Sequence, residues 1–403
     1  MVLSLGGAAA QRSSLPSAPP DVVGLSADGL QNATALLRQY VNDRKISGAV
    51  AAVARRGRVA YLEPVGLQSF ETRAPMTERS LFRIYSMTKA VTAVAVLMLN
   101  EAGKFQLDDP VAEYLPEFAD VLVQPANGPG RKPARAITVA DLLLHTSGLS
   151  HRTSDLYRRL QVRSRSIDLP QFVSNITRAP LMEDPGTRFR YSEGTTVLGR
   201  LVEVWSGMPF ETFVTTRILT PLGMTDTSFW VAPEARDRLV TMYQSTQGGP
   251  LTPFENEELP FTERPALFEG AVGLVSTVPD FLRFAQMLLN KGELGGTRLL
   301  TAATVDSMTR NSLAAPVLQQ RGGVMGWGLG NVDVVVASGS RGYLTSIGEY
   351  GWDGSAGTFF AVDPARETIV ILMTQNAPAN PDGLRQKFKA AVLSAIVNEA
   401  HKR

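Results

Sequence analysis

The chain has 403 residues, 44% of them apolar and 19% charged, with a formal net charge of +2. That is the profile of a soluble globular protein with room for two packed domains or one large one, and without a basic stripe it argues against nucleic acid as a partner. Cysteine is absent and the histidines are His145, His151 and His401, which excludes disulfide and thiolate chemistry and leaves no HExxH zinc pattern.

The first twenty residues differ from the rest. Residues 2–10 are small and apolar and 13–20 are rich in Ser and Pro. They read either as the trimmed tail of a secretory signal or as a flexible end, so the compartment stays open between periplasmic or secreted and cytoplasmic. Residues 27–44 carry helical periodicity. Residues 48–55 (GAVAAVAR) and 59–63 read as strands around the turn Arg56-Gly57. Residues 86–102 read as a helix apolar on nearly every side, stopped by Gly103. Its apolar run, Ala90 to Leu99, is too short to cross a bilayer.

From residue 109 to about 300 the signals are mostly helical, clearest over 138–144, 195–206 and 279–289. Strands return at 331–337, 347–350, 358–362 and 368–374, and 383–399 closes the chain as a helix. Strands at both ends with helices between them predict an α+β fold. An antiparallel sheet flanked by helices would be built from residues 21–85 and 325–403. A mainly helical domain, 86–324, would be inserted into it, with the active site at the interface and 1–20 as a flexible segment.

Three segments carry chemistry. Ser86-Met87-Thr88-Lys89 opens the buried helix, and three residues is close to one turn, so both side chains share a face. A lysine in such a helix is costly unless paired or used, and its amine can take the serine proton. The helix N-terminus adds a free N–H and positive potential for an oxyanion. Tyr191, placed just before a helix, can point its hydroxyl into a cleft and relay protons to a leaving group. Residues 350–357 (YGWDGSAG) lie between two predicted strands, where glycines let a substrate approach the backbone. No G-x-S-x-G elbow occurs, which argues against an α/β-hydrolase.

In order and rough spacing these segments resemble the superfamily signature S-x-x-K, Y-x-N, K-T-G. The chain is similar to class C β-lactamases and D-alanyl-D-alanine peptidases, and more closely to family VIII carboxylesterases. Residues 143–149 (LLHTSGL), 221–224 (PLGM) and 273–277 (GLVST) match as well, and the resemblance spans about residues 25 to 400. It implies a serine β-lactamase-like fold, with Ser86 as the acylated nucleophile, Lys89 as its base partner and Tyr191 as the catalytic tyrosine. The oxyanion hole would be the backbone N–H groups of Ser86 and Ser355.

Trp352-Asp353-Gly354 falls where K-T-G would be, and Glu193 stands where Asn is expected; all four are then expected at the substrate. Losing the lysine and gaining a carboxylate both work against anionic β-lactams and peptide C-termini, whereas a Trp wall suits neutral short-chain esters. The resemblance gives His145 a structural role and calls for no metal or organic cofactor. The expected partner is a small-molecule ester, with no membrane and the oligomeric state open. The rival readings are a β-lactamase or D-alanyl-D-alanine peptidase, an acyltransferase on the same fold, and a non-catalytic binding protein.

Overall fold

The structure is a computed structural model that describes residues 15–124, 128–245, 249–338 and 342–397. Residues 2–10 and His401 therefore lie outside the described residues.

One antiparallel seven-stranded sheet organises the molecule. Its strands are β1 (Gly48–Arg55), β2 (Arg58–Gly66), β3 (Met325–Gly328), β4 (Val332–Val335), β5 (Tyr350–Asp353), β6 (Phe359–Asp363) and β7 (Thr368–Met373). They lie in the order β2-β1-β7-β6-β5-β4-β3. The N- and C-terminal strands thus pair directly, with Val50 opposite Met373 and Arg55 opposite Thr368. β1 is buried along its whole length, which its run of Ala and Val allows on both faces. The β1–β2 connection puts Arg56 at φ 53° and Gly57 at φ 72°, the left-handed pair that a two-residue hairpin turn requires.

Alternate β1 residues face two layers. Ala49, Ala51 and Val53 join Leu37, Phe388 and Val392 under α1 (Ala27–Asn42) and a C-terminal helix, Leu384–Ser394. Val50, Ala52 and Ala54 join the larger core, against which helix Val278–Leu289 packs. That helix falls within the stretch 86–324, so the chain returns to the sheet before residue 325.

Two expectations shift. Residues 15–20 of the segment read as flexible are tied down: Ala18 N–H donates to Val59 O at 3.0 Å and Val59 N–H to Pro16 O at 2.8 Å. The outer edge of β2 offers unpaired backbone groups, and an edge tolerates prolines. β3 was absent from the expected strands, because two of its four residues are glycines. Among the described residues no helix is long and apolar enough to cross a membrane.

Candidate active site

Ser86 sits in a single 3-10 turn, Tyr85–Met87, that runs into α2 (Thr88–Glu101). Tyr85, fully buried, adopts φ 41°, a conformation costly for a bulky side chain unless its surroundings hold it. Its ring meets the edge of Phe261 at 5.9 Å, and the Arg152 guanidinium lies 5.8 Å from the ring centre. Ser86 itself is half-buried, and its hydroxyl has no hydrogen-bond partner among the described residues.

One turn later Lys89 is 1% exposed. Its ammonium donates to Ala271 O at 3.0 Å and lies 4.6 Å from the centre of the Tyr191 ring. The segment 270–274 is anchored beside it: Leu274 N–H donates to Thr88 Oγ1 at 3.1 Å and Thr92 Oγ1 donates to Gly270 O at 2.7 Å. Tyr191 precedes α3 (Gly194–Ser206). The indole N–H of Trp352 donates to the Tyr191 hydroxyl oxygen at 3.0 Å. The tyrosine oxygen thus accepts from the indole and keeps its own proton free to move. Lys89, Tyr191 and Trp352 are brought together from three distant parts of the chain.

The turn between β5 and β6 comes up against the Ser86 turn. A Cβ on Gly354 would lie 2.5 Å from Ile84 O and 2.3 Å from Thr358 Oγ1, so only glycine fits. Gly354 N–H donates to Thr358 O at 2.8 Å and Gly357 N–H to Gly354 O at 3.2 Å. Among the described residues no acceptor takes the N–H of Ser355 or of Ser86. Both groups therefore remain open to an oxyanion. Asp353 pairs with Arg385, and burial raises its carboxyl above the usual range against that cation. Asp353 and Gly354 thus fix the strand end, while Trp352 faces Tyr191.

Glu193, expected at the substrate, lies buried beside the site. It is 1% exposed, sits at the N-cap position of α3 without a side-chain capping bond, and accepts from Thr196 Oγ1 at 3.1 Å. Its carboxylate turns toward its own first helical turn and is felt by His151 and Arg152.

Behind the tyrosine, His145 is fully buried, and its Nδ1 accepts the Ser192 N–H at 3.3 Å, which holds the Tyr191 segment in place. Burial, then Lys89 and Arg321, push its pKa well below the usual 6.5.

Two site residues escaped sequence reasoning. His151 stacks on Tyr191 with ring centres 5.7 Å apart and planes 28° apart. Its Nδ1 faces Thr153 Oγ1 at 2.7 Å. Trp327 lies edge-on to Trp352 at 4.6 Å and donates its indole N–H to Leu143 O at 3.0 Å. Only the adjacency of His151 to the 143–149 motif could have drawn attention to it.

Comparison with known proteins decides the family. The Beta-lactamase family model matches residues 33–394. The chain belongs to the beta-lactamase family. Within it the chain is 32% identical to esterase EstB of Burkholderia gladioli over 368 residues, covering 85% of this chain and 89% of EstB. The solved structure of EstCE1, described as a hydrolase with promiscuous acyltransferase activity, superposes with a TM-score of 0.78 at 27% identity, over 90% of this chain and 98% of that one. A class C β-lactamase of Rhodobacter sphaeroides shares the fold, with a TM-score of 0.68 at 19% identity, over 91% and 99% of the two chains. The fold is therefore the serine β-lactamase-like one, and this member of the beta-lactamase family is a serine hydrolase.

Proposed function

We propose that this protein is a serine carboxylesterase that hydrolyses short-chain neutral esters through an acyl-enzyme on Ser86. Ser86 Oγ attacks the ester carbonyl as its proton passes to the Lys89–Tyr191 pair, which enters the step holding one proton fewer than an ammonium beside a phenol and so has a site to receive it. The carbonyl oxygen becomes an oxyanion received by the N–H groups of Ser86 and Ser355. The pair returns the proton to the departing alcohol oxygen as the C–O bond breaks. A water then repeats the sequence on the acyl-enzyme, releasing the acid and free Ser86.

The observation that carries this choice is the Trp352–Tyr191 hydrogen bond. An indole stands beside the tyrosine where a K-T-G lysine would present an ammonium to a substrate carboxylate. The ester-cleaving relative EstB supports the same reading. Transfer of the acyl group to an alcohol other than water is the second reading, favoured by the description of EstCE1.

The test is a series of 4-nitrophenyl esters from acetate to palmitate, run beside nitrocefin and with an added alcohol. Hydrolysis of acetyl to hexanoyl esters, with palmitate and nitrocefin far slower, is the expected pattern. Preference for nitrocefin would overturn the esterase reading, and a dominant transesterified product would establish the second one.

A further inference from the structure

Among the described residues around Tyr191, His151 keeps one polar atom uncommitted. Lys89 donates to Ala271 O, Trp352 donates to the tyrosine itself, and Glu193 accepts from Thr196. The His151 ring is half-buried and stacks on the Tyr191 ring, with centres 5.7 Å apart and planes 28° apart. One of its two nitrogens is held. The Thr153 N–H donates to His151 Nδ1 at 3.3 Å, and Thr153 Oγ1 lies 2.7 Å from the same nitrogen. The other nitrogen, Nε2, has no partner among the described residues and stays open to solvent.

These contacts fix the tautomer. A ring nitrogen that accepts a backbone N–H carries no proton, so the neutral imidazole holds its proton on Nε2. Burial pushes the ring below its ordinary pKa of 6.5; Glu193 opposes that fall, and Lys89 and Arg152 add to it. At neutral pH the ring is therefore uncharged. Its free nitrogen is then a donor with a proton to offer, and it has no lone pair with which to deprotonate a deacylating water.

We propose that His151 is a specificity-determining residue whose Nε2–H donates to a neutral oxygen in the alcohol half of the ester, a few bonds beyond the scissile one. The inference rests on the esterase reading and deepens it by naming a substrate class: short esters of alcohols that carry an ether, carbonyl or hydroxyl oxygen. The choice of the alcohol half follows from the stacking. In the proposed mechanism the Tyr191 pair returns a proton to the departing alcohol, so that alcohol passes beside the tyrosine, and the ring against the tyrosine is that of His151. The acyl carbonyl is received instead by the N–H groups of Ser86 and Ser355. An uncharged N–H suits an uncharged oxygen, whereas a lysine or arginine there would call for an anion.

Matched esters that exchange one methylene for oxygen test the proposal on the full chain, with the released acid followed by pH-stat titration. 2-Methoxyethyl butyrate against butyl butyrate, and 3-methoxypropyl butyrate against pentyl butyrate, place the oxygen at two spacings in the alcohol. Butyl 3-methoxypropionate against butyl pentanoate places it in the acid. Each pair gives a kcat/KM ratio, and comparing that ratio between wild type and a variant cancels the intrinsic reactivity of the esters.

In His151→Phe, which keeps a ring against Tyr191 and removes the donor, the ether preference of at least one alcohol pair is expected to fall about 3- to 10-fold. His151→Gln, whose amide nitrogen stands as many bonds from the backbone as Nε2, is expected to keep most of it. The acid pair is expected to be unmoved in both variants. Should the phenylalanine ring crowd Tyr191 and stop turnover of every ester, His151→Leu carries the same comparison.

Ratios that stay the same in wild type and the donor-free variant would overturn the proposal and leave the esterase reading intact. A loss confined to the acid pair would overturn the assignment to the alcohol half. A glutamine variant as poor as phenylalanine would show that the ring, and not its N–H, sets the preference, and would overturn the donor role. No turnover of any of these esters by wild type would remove the esterase reading itself, and the proposal with it.

Discussion

Trp352 donates its indole N–H to the hydroxyl oxygen of Tyr191 at 3.0 Å, while Lys89 lies 4.6 Å from the centre of the same ring. The tyrosine is therefore gripped from the strand side by a neutral donor and from the helix side by a cation. Trp352→Phe keeps the aromatic wall and removes the donor. A neutral hydrogen bond contributes about 0.5–1.5 kcal/mol net, so kcat on a short ester is expected to fall about 3- to 10-fold with little change in Tm. Unchanged kcat would mean the indole serves only as a wall.

Lys89 and Tyr191 share one proton-transfer path to Ser86 in the proposed mechanism. Lys89→Ala and Tyr191→Phe are each expected to lower kcat by about 10²-fold or more. The double variant is expected to be scarcely worse than the poorer single one, because residues acting as a unit are not additive. Losses that multiply would show that the two act independently.

Gly354 packs directly against the turn that carries Ser86, one residue before Ser355. A methyl group there would lie 2.5 Å from Ile84 O, and the backbone oxygen cannot swing away as a side chain would. Gly354→Ala is expected to cost about 1–3 kcal/mol of stability and to lower kcat further by displacing the Ser355 N–H. Urea unfolding and ester kinetics on one preparation measure both. Wild-type kcat in a destabilised variant would separate Ser355 from the oxyanion hole.

The buried imidazole of His145 sets the acid limb of stability. Burial, then the charges of Lys89, Arg321 and His151, push its pKa well below 6.5. In the unfolded chain the ring binds a proton near 6.5, whereas the folded protein refuses it. As pH falls below 6.5 the unfolded state takes up the proton and stability drops, continuing until the low folded pKa is reached. The Tm of wild type is expected to fall more steeply between pH 7 and pH 5 than that of His145→Gln, although the variant starts lower. Parallel profiles would show that other groups govern the acid limb.

Much of the scaffold was legible in the sequence. Strand β1 runs over Gly48–Arg55 as its apolar run predicted, and Thr138 opens its helix through a reciprocal cap with Asp141. Local pattern carries such elements because periodicity and capping act over a few residues. Contacts between distant segments were not legible. The stacking of His151 on Tyr191 and the seating of the Arg165 guanidinium over Phe261 each depend on loops brought together only by the fold. For Glu193 the position before α3 was readable, but the direction of its side chain toward Thr196 was not.

The central claim is that the acyl group rests on Ser86. Rapid mixing of the protein with a slowly deacylating 4-nitrophenyl ester, followed by acid quench and peptide mass spectrometry, tests it most directly. The expected result is one added acyl mass on the peptide containing Ser86, absent in Ser86→Ala, which also loses nearly all turnover. Acylation at Ser147, Ser276 or another side chain, or undiminished turnover in Ser86→Ala, would contradict the account.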